Sequence, residues 1–269
     1  MSHSLVLLYF PLSTASQKVR LCQLHKGISM QEQIVDLVKL EQLSPDYLAH
    51  NPNGYVPTLL VDGQAIYESS IINEFLDEIS GAPRLLPSDP IQRAHVRMWN
   101  KYLDTGPTVQ IASPTYRDWV APALASAPKE LLAQKLATAP DATTRARWLR
   151  TLQGTISDAE VAAAYEAMAV MLHRMESLLA SRPWLFGDEL TLADLETLPL
   201  VVRLVHLGRA SLFAQLPNVQ SWLQRAQSLP AYQAVYGSLQ PLGQSNKPSD
   251  GKSGSIQSLD RSTAHAVAS

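Results

Sequence analysis

The chain has 269 residues, a formal net charge of −2, 46% hydrophobic and 17% charged residues, and one cysteine, Cys22. That length and apolar content suffice to bury a core, and a lone cysteine excludes a disulfide framework and zinc sites built on two or four thiolates. The charge balance excludes a whole-chain basic footprint for nucleic acid or anionic lipid, and no apolar run reaches bilayer length, so the expected setting is the cytoplasm, without a membrane or nucleic-acid partner.

The continuous apolar run Ser4–Phe10 predicts a strand buried on both faces. Ser16–Gly27 follows as a helix carrying Val19, Leu21, Cys22 and Leu24, with Gly27 as its stop. Gln33–Leu37 reads as a second strand, which completes a β-α-β unit. Pro45–His50 is a short helix ended by the turn Asn51-Pro52-Asn53-Gly54. Val56–Val61 and Gln64–Tyr67 are strands joined through the hairpin signal Asp62-Gly63. Ser69–Ile79 is an amphipathic helix with Ile71, Ile72, Phe75, Leu76 and Ile79 on one broad face.

Residues 81–90, with three prolines, read as a linker. Beyond them the periodicity is helical throughout: Ile91–Leu103, Ala159–Ala180, Leu192–Leu207 and Val219–Leu229. Thr191 and Asp194 resemble a capping box at the start of the third of these. The Pro-interrupted stretch 106–153 predicts short helices and loops, and 241–269 predicts a disordered tail. The expected organisation is an α/β domain over 1–80, a linker over 81–90 and an all-helical domain over 91–240.

Ser13 and Thr14 stand between a buried strand and a helix N-terminus, which carries unpaired N–H groups and favours anions. Ser13, Thr14 or Ser16 is then either the helix cap or a hydroxyl serving a bound anion. Glu68-Ser69 precedes the third helix, with Ser69 its expected N-cap. Cys22 sits two turns into the first helix and reads as a small buried hydrophobe. The seven histidines have no ligand spacing and predict no metal, and no glycine-rich phosphate loop, zinc-protease or nucleophile-elbow motif occurs.

Four segments in this order resemble the cytosolic glutathione transferases: Phe10–Val19, like the serine-containing turn of the phi and zeta classes; Asn51–Leu59, like the cis-proline loop; Tyr67–Ile71, like the Glu/Asp-Ser step; and Leu190–Asp194, like the capping motif of the helical domain. The resemblance implies a thioredoxin-like N-terminal domain, glutathione as cosubstrate, a small electrophilic second substrate and a homodimer with the third and fourth helices near its interface. It implies Ser13 as stabiliser of the glutathione thiolate, with Thr14 and Ser16 in reserve. Pro57 would be cis, exposing the backbone of Val56 to the cysteinyl backbone of glutathione. Glu68 and Ser69 would meet the γ-glutamyl end, and Gln42 the glycyl end. Lys39 is a further candidate there, while Tyr55 stands where many relatives carry Lys or Gln. The middle segment is similar to that of bacterial β-aryl etherases. Tyr116, Trp119 and Trp148 are either core aromatics or the lining of an aromatic pocket, and Arg145 or Arg147 either a solvated face or the partner of a phenolate or carboxylate. Rival readings are a glutathione-dependent isomerase or dehalogenase, and a non-catalytic glutathione-binding module.

Overall fold

Four strands build one mixed sheet at the N-terminal end of the chain. Strand β1 (Leu5–Tyr9) pairs in parallel with β2 (Gln31–Ile34) and antiparallel with β3 (Thr58–Val61), and β4 (Gln64–Tyr67) closes the order β2-β1-β3-β4. Leu5, Leu7, Leu8 and Tyr9 are all buried, as a central apolar strand requires. The second strand lies two residues earlier than expected. The Asp36 carboxylate accepts from the N–H groups of Val38 at 2.9 Å and Lys39 at 3.3 Å, a local turn that takes the chain out of the ladder. The third strand also starts later than expected, so Val56 and Pro57 lie outside the ladder.

Between the strands lie helices α1 (Thr14–His25) and α2 (Pro45–Leu48), and α3 (Ser69–Ile79) follows them. Helix α1 ends as the sequence predicts: Gly27 has φ +63°, its N–H donates to Leu24 O at 3.2 Å, and Ile28 N–H donates to Gln23 O at 3.0 Å. The expected broad apolar face of α3 is narrower. Ile72 and Leu76 are fully buried, while Ile71 is 54% and Ile79 39% exposed, because α1 and α11 cover only one side of the helix.

The structure is a computed structural model that describes residues 3–125, 128–137, 139–237 and 239; the expected disordered tail over 241–269 lies outside the described residues. The helical half comprises α4 (Pro90–Thr105), α5 (Pro107–Gln110), α6 (Ala112–Thr115), a π turn at Tyr116–Val120, α7 (Ala121–Ala123), α8 (Lys129–Ala137) and α9 (Ala142–Gln153). It continues with α10 (Asp158–Leu178), α11 (Leu192–His206), α12 (Pro217–Gln227) and α13 (Pro230–Tyr236). Thr191 and Asp194 make the expected reciprocal capping box, and Asp194 also accepts from Leu185 N–H and Trp222 Nε1, both at 2.9 Å.

The connection over 81–89 is a fixed strap. The buried Asp77 carboxylate accepts from Lys26 Nζ at 2.9 Å and from the N–H groups of Leu85 and Leu86 at 2.8 and 3.0 Å, which seats both leucines in the core. The sheet half and the helical half also meet through a buried charge. Lys18 on α1 has no exposed surface; its Nζ lies 3.0 Å from Glu196 on α11 and 3.1 Å from Asp104 at the end of α4.

Candidate functional site

The site begins where β1 turns into α1. Ser13 N–H donates to Phe10 O at 3.0 Å, and Ser13 Oγ accepts from Ser16 N–H at 3.3 Å. Ser13 is therefore the helix cap. Accepting uses a lone pair and leaves the hydroxyl hydrogen free to donate, so the cap and the anion-serving hydroxyl are compatible roles of one oxygen. Ser13 and Thr14 line both of the cavities described below. Ser16 does not: it is fully buried, and its Oγ accepts from Phe10 N–H at 3.2 Å, which removes it from the expected site. Cys22 is buried as expected, with burial pushing its thiol well above the ordinary range.

A groove of about 280 Å³ runs from Ser13 past the loop before β3. Gln42, Val56, Pro57, Glu68 and Ser69 all line it, so residues of the cis-proline loop and of the Glu-Ser step converge with Gln42 beside Ser13. The Val56–Pro57 bond is cis. Neither backbone polar group of Val56 is paired in the described residues. Both flanks of this bond are held by residues the sequence did not single out for that purpose. Asn51 Nδ2 donates to Tyr55 O at 3.0 Å and to Thr58 Oγ1 at 3.1 Å, and the Tyr47 hydroxyl bonds the same two atoms. Gly54, at φ +66°, is needed here, because a Cβ would sit 3.0 Å from Leu43 Cδ2. Gln42 is 3% exposed, and its Oε1 is a buried acceptor without a donor.

At α3 the expected cap is corrected. The N-cap residue is Glu68, at φ 71°, and Ser69 is the first helical residue. No side chain caps this helix, so its first N–H groups stay available at the groove. Lys39 does not reach the groove; its side chain is 70% exposed and pairs with Asp36 at 3.1 Å, held outward by the turn that ends β2. Tyr55 lines the groove, but its hydroxyl is engaged across the cleft, donating to Asp141 Oδ2 and bonding Thr144 Oγ1, each at 2.7 Å. The Tyr55 hydroxyl, then the side chain and N–H of Thr144, hold Asp141 at about 2, below the usual carboxylate range. The bonds of Tyr55 also dock the start of α9 on the loop, bringing Thr144, Arg147 and Trp148 to the groove.

A second cavity of about 140 Å³ opens beside the groove, on the helical side. Tyr116, Trp119 and Trp148 line it, and the rings of Tyr116 and Trp148 meet edge to face at 5.1 Å. Trp119 and Trp148 are buried and Tyr116 is half-buried against them, so the core and pocket readings hold together. Burial pushes the Tyr116 hydroxyl up to about 12. Arg145 lines neither cavity; its guanidinium donates to Ala139 O at 3.3 Å. Arg147 takes its place at the groove, its guanidinium 5.8 Å from the Tyr116 ring centre.

Arg203 is the lining residue that sequence reasoning missed. It sits on α11, 2% exposed, with its guanidinium 4.5 Å from the Trp119 ring centre. The available signal was one cation inside the apolar run Leu198–Leu204.

The comparisons agree with this architecture. The family model for the glutathione S-transferase N-terminal domain matches residues 12–79, and that for the C-terminal domain matches 139–230. Glutathione S-transferase F10 of Arabidopsis thaliana is 29% identical over 232 residues, covering 85% of this chain and 94% of that protein. Protein LigF of Sphingobium sp. is 26% identical over 78% of this chain and 84% of its own length. The solved structure of the β-etherase LigF superposes with a TM-score of 0.80 at 24% identity, covering 87% of this chain and 99% of that one. Maleylacetoacetate isomerase of Pseudomonas aeruginosa is 43% identical over 88 residues, 32% of this chain and 42% of that protein. With two matched domains in order over a thioredoxin-like sheet and a helical second half, the chain belongs to the glutathione S-transferase family.

Proposed function

We propose that this chain joins the thiolate of glutathione to an electrophilic carbon of a small aromatic molecule, with β-aryl ether cleavage as its specific form. One observation carries the reading: Ser13, at the positive end of α1, lies on both cavities. A sulfur held in the groove and a carbon held among the aromatics therefore meet at the same hydroxyl. Glutathione fits the groove. The unpaired backbone of Val56 suits its cysteinyl backbone, the uncapped start of α3 suits its γ-glutamyl carboxylate, and Glu68 suits the ammonium beside it. The orphaned Gln42 acceptor suits the N–H at its glycyl end.

A free thiol with a pKa of about 8.5 is only a few per cent ionised at neutral pH. The Ser13 hydroxyl donating to sulfur, with the α1 N-terminal field, favours the thiolate. The thiolate forms a bond to carbon while the leaving group departs with the electron pair. For an aryl ether that group is an aryloxide, which takes up a proton, giving a thioether and a phenol. Alignment of the two reactants in adjoining cavities supplies much of the rate.

The test is Ser13→Ala with glutathione and 1-chloro-2,4-dinitrobenzene. Turnover falls about 10²-fold and the pH profile of kcat/KM moves upward, while calorimetry still registers glutathione binding. Unchanged turnover and an unmoved profile reject the role of Ser13. The isomerase match over 88 residues supports a second reading, an isomerisation that regenerates free glutathione. Product analysis separates the two, since only transfer consumes glutathione. We place the activity in the cytoplasm and in a homodimer. The exposed Ile71 on α3 and Met98 on α4, at 54% and 67%, support that interface, and light scattering tests it. No helix among the described residues is long and apolar enough to cross a membrane.

A further inference from the structure

The second cavity contains a buried charge that no carboxylate among the described residues neutralises. Arg203 Nη1 donates to Thr115 Oγ1 at 3.2 Å and Nη2 donates to the carbonyl of Leu12, the residue before Ser13. Nε is buried without a partner. A guanidinium has five N–H donors, so three remain unused. The ionisable side chain acting on its charge is Tyr236, itself buried and neutral, and no carboxylate among the described residues does so. Trp119 covers one face of the guanidinium, and the same indole stacks on His206 at 5.4 Å. A buried cation is costly unless it is paired, and a cavity wall is the one place where a ligand supplies the pair.

The dimensions agree. A volume of about 140 Å³ is close to that of an apolar cavity that holds one benzene ring. The wall is apolar, with aromatic and aliphatic side chains, apart from Arg203 and a few hydroxyls, among them Ser13, Thr14 and Thr115.

We propose that Arg203 makes this cavity selective for aromatic electrophiles that carry an oxyanion, such as a ring carboxylate, which pairs with the guanidinium while the ring lies against Trp119. The inference rests on the transferase reading and deepens it by naming the charge of the second substrate. In the assay, glutathione thiolate displaces chloride from the ring carbon, chloride leaves with the bonding pair, and the carboxylate takes no part in the bond change.

The experiment compares 4-chloro-3,5-dinitrobenzoate with its methyl ester. The full-length protein prefers the carboxylate in kcat/KM by about tenfold or more, mainly through KM, and Arg203→Gln brings the ratio to about one. The ratio is insensitive to a loss of folded enzyme. Tryptophan fluorescence quenching by 4-nitrobenzoate and its methyl ester reads the same preference without turnover. A wild-type ratio at or below one in both measurements overturns the inference, as does a preference that survives Arg203→Gln. If instead a leaving aryloxide were the anion recognised, Arg203→Gln would lower kcat on aryl ethers and leave the carboxylate preference intact, which also overturns it. Turnover of 1-chloro-2,4-dinitrobenzene without any such preference leaves the transferase reading standing. Preference in fluorescence with no turnover of any electrophile supports the anion site and rejects the transferase reading.

Discussion

Two buried cations stand where the sheet half meets the helical half, and their surroundings differ. Lys18 has Glu196 and Asp104 within ion-pair distance. Burial pulls its pKa down, the two carboxylates push it up, and the net shift is upward, so its charge is held. Arg203 has a carbonyl, a hydroxyl and an indole face but no anion among the described residues, and burial lowers it to about 10. Lys18 is thus a completed structural contact, whereas Arg203 is completed only by something that enters the cavity. Burial alone does not separate structural from functional charge; the presence of a counter-charge does.

The sharpest way to break this comparison is to remove each cation. Lys18→Met leaves Glu196 buried without its partner and costs about 3–5 kcal/mol in urea unfolding. Arg203→Met leaves Leu12 O and Thr115 without a donor but also removes an uncompensated buried charge, so its cost stays below about 2 kcal/mol. Equal losses would show that Arg203 is as structural as Lys18.

A smaller effect tests the contact that brings α9 to the groove. Tyr55→Phe removes the hydroxyl from Asp141 and Thr144, costing about 1 kcal/mol and speeding hydrogen exchange over 142–153. The variant also changes acid sensitivity. Asp141 is lowered from 3.8 to about 2, first by the Tyr55 hydrogen bond. Its contribution is therefore present above 3.8 and lost as pH falls towards 2, and Tyr55→Phe makes that loss shallower.

The smallest effect concerns the neighbour of Arg203. His206 is lowered from 6.5 to about 4, by burial and then by Arg203. The unfolded chain takes up this proton first, so stability falls as pH drops from 6.5 to about 4 and levels off below. His206→Gln flattens that slope in urea midpoints taken across the window. An unchanged slope would mean that His206 is protonated in the fold and shares the charge of this wall.

What could be read in the sequence lies in contiguous stretches. The run before Pro11, the turn at Ser13, the loop at Pro57, the Gly27 stop and the Thr191–Asp194 box each depend on residues within a few positions of one another. Turn chemistry, capping and periodicity act over that range. The errors were local competitions that pattern reading ranks poorly: the Asp36 turn against the second strand, and Glu68 against Ser69 as the helix start. Tertiary structure alone decided the rest. Tyr55 meets residues 86 and 89 positions further on, and Arg203 reaches the carbonyl of Leu12 from 191 positions away. Which face of α9 points at the groove, and whether a buried cation has a counter-ion, are set by packing between elements, because no local rule fixes how distant helices close on a turn.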